Sequence, residues 1–213
     1  MTEHTTIPES AAFTTILVPL DASPEAGSAL PYAMALATPG TALLLLTVVR
    51  DESEAEAARA ALEQTAQRAR VGGRDARIDV VVGEPADEIL GAAVSSGVGM
   101  IVMASRGGGA LDRLIHGSVA DRVARKAPVP AMVVRAEIAA PGPVGITRLV
   151  VPLDGSALSE QSLPFATAIS RRLGTPLFLV RAFSSAELMP PAVGMGEAIP
   201  FELYDEAEQE LTS

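Results

Sequence analysis

VGMIVMASRGGGALDRLIHGS, residues 98–118, sets an apolar run, a glycine-rich loop and the opening of an amphipathic segment end to end. The run 98–103 is short and apolar, which predicts a buried strand. After the loop, Val119, Val123 and Ala127 recur at helical spacing until Pro128, which predicts a helix over 118–127 opened by Gly117 and Ser118. A helix start presents unpaired backbone N–H groups and the positive end of the dipole, so a glycine loop feeding one suits an anion such as phosphate. Gly107, Gly108 and Gly109 let the backbone approach a ligand that side chains would keep away. The same residues also suit a plain flexible loop with Ser118 as an ordinary cap. Two other phosphate motifs are excluded: there is no Gly-Lys pair for a Walker A loop, and the spacing from Gly107 to Asp112 fails GxGxxG.

Outward from this stretch the same alternation continues. Apolar strands are predicted at 16–20, 42–49, 78–82 and 129–135, with helices at 23–37, 52–70 and 85–94. Ser23, Pro24 and Glu25 form a helix start: a cap, a proline in the first turn and an acid near the positive dipole end. Pro31 falls inside that predicted helix, where a lost backbone bond predicts a kink. The segment 42–49 is almost continuously apolar, as expected of a strand covered on both faces. Strict alternation of strand and helix implies a doubly wound α/β fold with a parallel sheet, whose ligands bind at the carboxyl ends of the strands. Asp21, Val48 and residues 104–107 all end or follow strands, so they meet at that edge.

The composition narrows the classes of function. At 213 residues and 48% hydrophobic content the chain can bury a sizeable core, and its longest apolar run is too short to span a bilayer. The opening MTEHTTIPES lacks a basic region before an apolar segment, so neither export nor a membrane span is expected, and a cytoplasmic location fits. Cysteine is absent, which excludes disulfides, thiolate metal sites and a cysteine nucleophile. A net charge of −10 argues against general nucleic-acid binding. Fifteen arginines stand against the single Lys126, so charge-assisted phosphate contacts would come from arginine or backbone. Arg106 and Arg113 flank the glycine loop; the alternative for each is a solvated surface residue. His116 lacks an accompanying GxSxG nucleophile motif, and His4 and His116 are the chain's two histidines, too few for a histidine metal site.

Past a Pro/Gly linker at 137–145 the chain repeats itself. Pro19, Asp21, Ser23, Leu30 and Pro31 recur as Pro152, Asp154, Ser156, Leu163 and Pro164, each at an offset of 133 (152 − 19). The repeat predicts a strand at 149–153, a helix at 159–173 and a strand at 176–183, then a Pro/Gly-interrupted loop at 184–200 and the start of a helix at 202–211. The expected organisation is therefore a polar leader (1–13), a complete domain (14–136), the linker, and an incomplete second domain (146–213). One helix on one sheet face buries little, so the second part is expected to be the less ordered and the first removed by protease. The intact gene product is expected to continue for about 80 further residues, from the repeat offset and ordinary domain size.

The segments ILVPLDAS (16–23), VVVGEPADEIL (80–90), MIVMASRGGGALDRLIHGSVADRV (100–123) and APVPAMVV (127–134) resemble the universal stress protein family, over a whole domain. Nucleotide-binding members of that family carry a glycine, two residues, a second glycine, nine residues, then Gly-Ser or Gly-Thr. Here Gly107, nine residues, Gly117 and Ser118 match the second part, while Ala104 stands at the first glycine. The resemblance implies a sheet of order 3-2-1-4-5, of the adenine nucleotide alpha hydrolase-like kind, and ATP, with Mg2+ carried by the nucleotide. It implies that Asp21 contacts the nucleoside and backbone near Val48 the adenine, and that the nucleotide-binding set is Pro19, Leu20, Asp21, Val48, Ala104, Ser105, Arg106, Gly107, Gly117, Ser118 and Val119. For Asp21 the alternative is a cap on the helix turn, and its recurrence as Asp154, where there is no second glycine loop, bears on that choice. The resemblance also implies a homodimer through the edge strand 129–135.

Three functions fit the sequence. The first is a stress-response regulatory module that holds ATP or another adenine nucleotide without rapid turnover. The second is a nucleotide-free module that dimerises and binds an unidentified protein partner. The third is a slow nucleotide hydrolase, for which Asp21 and Asp112 are the obvious carboxylates. Sequence alone names neither the stress signal nor the partner.

Overall fold

The computed structural model describes residues 14–21, 23, 26–105, 118–135 and 145–181. The first five strands are β1 (Thr15–Pro19), β2 (Ala42–Val49), β3 (Asp75–Val82), β4 (Met100–Ser105) and β5 (Ala131–Arg135). They form a single parallel sheet in the order β3-β2-β1-β4-β5. Between them run α1 (Leu30–Leu36), α2 (Ala55–Val71), α3 (Pro85–Ser95) and α4 (Ser118–Lys126).

Strand alternation sends side chains to two separate cores. Ile16, Val18, Leu43, Leu45, Met100 and Val102 face Ala33 and Leu36 of α1 and Leu62, Ala66 and Ala69 of α2. Leu17, Leu46, Ile101 and Met103 face Ala86, Ile89 and Ala93 of α3 and Ala120 and Val123 of α4. Both faces of the central strands are thus closed to water, which is why 42–49 reads as an unbroken apolar run. Helix α2 carries Glu56 in its first turn and Arg68 and Arg70 in its last, matching the dipole.

The structure revises several expected boundaries. The first helix does not run from 23 to 37: a 3-10 turn (Ala26–Ala29) leads into α1, and Pro31 falls in the first turn of α1. There its missing N–H belongs to a group with no helical acceptor, so the expected mid-helix kink has no cause. β3 starts at Asp75, three residues before the expected strand, because Asp75, Ala76 and Arg77 pair with Ala42, Leu43 and Leu44. β4 spans Met100–Ser105 rather than 98–103, since Ala104 and Ser105 pair with Val134 and Arg135.

A second, two-stranded parallel sheet follows, made of β6 (Leu149–Leu153) and β7 (Leu177–Arg181). Helices α5 (Ala157–Glu160) and α6 (Ser162–Leu173) connect the strands and replace the single expected helix at 159–173. Gly174, with φ of 62°, terminates α6 in the left-handed region. The expected helix at 202–211 lies outside the described residues. No described helix is long and apolar enough to cross a membrane.

Candidate functional site

The chain runs from β1 toward β2 and β3 on one side, then returns to β4 on the other, so strand order switches between β1 and β4. Loops leaving adjacent strands in opposite directions open a crevice at their carboxyl ends. The structure brings Pro19, Leu20, Asp21, Val48, Ala104 and Ser105 to that edge. Leu20 continues the line of β1, its N–H donating to the Leu46 carbonyl at 2.8 Å, and its side chain is buried. Val48, half-buried, pairs with Val81 and packs on the α3/α4 side. Ala104 packs against the opposite core, and the Ser105 hydroxyl donates to the Val134 carbonyl at 3.4 Å.

Ser118 is the first residue of α4, and Val119, half-buried, packs with Val123 on the α3 side. Arg122 of α4 pairs with Asp87 of α3, tying these two helices together. Arg106, Gly107, Gly108, Gly109, Asp112, Arg113, His116 and Gly117 lie outside the described residues.

Asp21 is exposed and its carboxylate accepts from the Ser23 N–H at 2.9 Å and from the Ser23 hydroxyl. Ser23 in turn accepts from the Ala26 N–H at 3.2 Å, which starts the 3-10 turn. Pro24 and Glu25 lie outside the described residues. Asp154 and Ser156 repeat the arrangement after β6: Asp154 accepts from the Ser156 N–H at 2.9 Å, and Ser156 accepts from the Ser159 N–H at 3.1 Å. Asp51 and Ser53 form the same turn after β2, with a donor distance of 2.9 Å. An aspartate that accepts from the N–H two residues on closes an Asx turn. Hydrogen bonds from the Ser156 side chain and backbone, and from Ser159, lower the Asp154 pKa to about 2. Bonds from Ser53 likewise lower that of Asp51.

Sequence reasoning singles out Asp21 and Asp154 but misses Asp51. The signal is present as the triplets Asp-Ala-Ser, Asp-Glu-Ser and Asp-Gly-Ser at 21, 51 and 154. In the second unit Arg181, at the end of β7, lies over the turn: a Cβ on Gly155 would come within 2.5 Å of its Nη2.

The profile of the universal stress protein family matches residues 12–135. Universal stress protein Rv2005c of Mycobacterium tuberculosis is 32% identical over 96 residues, which is 45% of this chain and 32% of that protein. Universal stress protein YxiE of Bacillus subtilis is 38% identical over 74 residues, 35% of this chain and 50% of that protein. The chain thus spans about a third to a half of the length of these curated relatives. Among solved structures, hypothetical protein MJ0577, the subject of a structure-based assignment of biochemical function, superposes with a TM-score of 0.51. Its sequence is 30% identical, and the match covers 58% of this chain and 96% of that one. A universal stress protein from Archaeoglobus fulgidus DSM 4304 superposes with a TM-score of 0.68 over 93% of this chain and 73% of that one, at 19% identity, a likeness of fold alone. Since the match runs through every strand of the five-stranded sheet and through both sides of its switch point, the chain belongs to the universal stress protein family.

Proposed function

We propose that the chain is a stress-response regulatory module that holds an adenine nucleotide, ATP foremost, at the edge where β1 and β4 part. The observation that carries this reading is the convergence of Asp21, Val48 and Ala104 on one switch-point edge, with Ser118 opening the helix that follows β4. The nucleoside would lie against Asp21 and the backbone near Val48, and the phosphates against the amides around Gly107, Gly117 and Ser118. The fit to a nucleotide rests on the helix start at Ser118 and the glycine-rich sequence before it, whose backbone N–H groups suit an anion. Mg2+ would arrive with the phosphates, which together with water supply most of its oxygen ligands, because the Asp21 carboxylate already accepts two hydrogen bonds.

Mass spectrometry of protein purified without added ligand tests this: bound ATP, ADP or AMP is expected, as is loss of ATP binding on Gly117→Val, read by calorimetry. Phosphate release that rises with protein purity and vanishes on mutating Asp21 would instead make the chain a slow hydrolase. A nucleotide-free module of the same family is the second reading. It is favoured by the Asx turns, because the same aspartate geometry at Asp51 and Asp154 needs no ligand.

The proposal extends to assembly and organisation. A second copy would pair with the outer edge of β5, whose backbone has a partner on one side only among the described residues. The strand-helix-strand unit that begins at 146 would belong to a second copy of the family fold, and the protein would work in the cytoplasm with a protein partner still to be identified.

A further inference from the structure

Helix α6 packs on both its own sheet and the first domain. Ala168 and Ile169, each 6% exposed, share a buried cluster with Ala33, Leu36 and Ala37, and Phe165 and Leu173 pack against that cluster. Arg172 stands in the last turn of α6. Its Nε donates to the Leu36 carbonyl at 2.8 Å, and its Nη2 donates to the Thr38 hydroxyl at 2.5 Å and to the Thr41 hydroxyl. Leu36 ends α1, so its carbonyl has no helical donor of its own and carries the negative end of the dipole. Thr41 is buried and immediately precedes β2, its N–H donating to the Thr38 carbonyl at 2.9 Å. Arg172 therefore meets three acceptors on one turn of the first domain.

The internal repeat does not explain this arginine. The offset is 133 at Pro31 and Pro164 (164 − 31) but 134 at Gly40 and Gly174 (174 − 40), so Arg172 falls where the second copy gains a residue. Burial lowers the Arg172 pKa from its ordinary value, and a guanidinium remains charged at neutral pH. A half-buried charge with directional partners fixes one docking geometry, whereas the alanine and isoleucine contacts beside it would tolerate sliding.

We propose that the end of α1 and its exit turn form the receptor for the C-terminal strand-helix-strand unit, and that Arg172 is the latch that holds the unit there. Because the latch joins the two units, β6 and β7 stay closed only while α6 is docked.

Hydrogen exchange on the full chain tests this with Arg172→Met, Arg172→Lys, Thr38→Val and, as a charge control on the exposed face of α2, Arg59→Met. Arg172→Met is expected to speed exchange across 149–181 by about tenfold or more and to speed that of 37–41, leaving β3 and α3 unchanged. Arg172→Lys should recover part of the protection, since one ammonium cannot reproduce the fork. Thr38→Val, in the first domain, should speed exchange in 149–181 by about threefold, while Arg59→Met should leave it unchanged. Exchange in 149–181 within twofold of wild type for both Arg172→Met and Thr38→Val would overturn the latch. Should Arg172→Met lose protection throughout the chain, Thr38→Val alone decides: unchanged exchange in 149–181 overturns the proposal and faster exchange there sustains it.

Discussion

Ala104 occupies the position at which the family resemblance expects glycine, and it lies within β4, paired with Val134 and packed against the α1-side core. A strand residue needs no positive φ, so a methyl group here meets no backbone penalty. Ala104→Gly should therefore cost stability, by about 0.5–1 kcal/mol, because glycine weakens a strand interior. It should change ATP affinity by less than about tenfold, read by calorimetry. Binding by the variant with none by wild type would show that the methyl obstructs the site. Asp154 yields a prediction of a different kind. Its folded pKa of about 2 lies below the ordinary 3.8, so the turn's contribution is present above pH 3.8 and is lost as pH falls toward about 2. An NMR titration of the carboxyl should show this low value, and Ser156→Ala should raise it toward 3.8; an unchanged value in the variant would break the link to the serine. These turns are legible in sequence because an Asx turn needs only residues two apart. The partners of Arg172 are not.

At the scale of elements, the alternation of strand and helix is readable from apolar runs and breakers, and all five strands and four helices of residues 15–135 occur with bounds within about three residues of those expected, except the first helix, whose α-helical part starts at Leu30 rather than Ser23. The errors have two causes. Strand ends follow pairing, and Asp75 and Ser105 extend their strands because Ala42 and Arg135 stand opposite. Pro31 reads as a mid-helix residue only if the helix starts at Ser23, but the tighter turn before α1 moves the first α-helical turn onto the proline. β5 carries the element-scale prediction. Its outer edge has no strand partner among the described residues, and because the Ile101 N–H donates to the Pro130 carbonyl, the alternate residue Val133 at the strand's centre turns its N–H outward, so Val133→Pro should weaken the proposed dimer by removing an edge donor. Light scattering should show a dimer for wild type; a monomer at every accessible concentration would count against the interface.

At the scale of the whole molecule, the two sheets differ in closure. Leu17 is fully buried between the first sheet and α3/α4, while Val150, its counterpart at the repeat offset of 133 (150 − 17), is 56% exposed beside Phe178 and Val180. On the α6 side of the second sheet Val151 of β6 is buried while Leu179 of β7, opposite it, stays exposed, the other side is bare among the described residues, and what anchors the unit is the contact with α1. Sequence reasoning expects a weakly held appendage, because it credits α6 with burying one face of its own sheet only. By itself the sequence determined the fold class and which residues end or follow strands, since both depend on periodicity, and it carried the Asp-x-Ser triplets of the Asx turns, while the strand order that sets the switch point followed from the family resemblance. Tertiary structure alone decided that Ala104 is a packed strand residue, that Pro31 opens a helix, and that Arg172 caps α1. The acceptors of Arg172 lie 131 to 136 residues away, and no local pattern encodes a hydrogen bond across that separation.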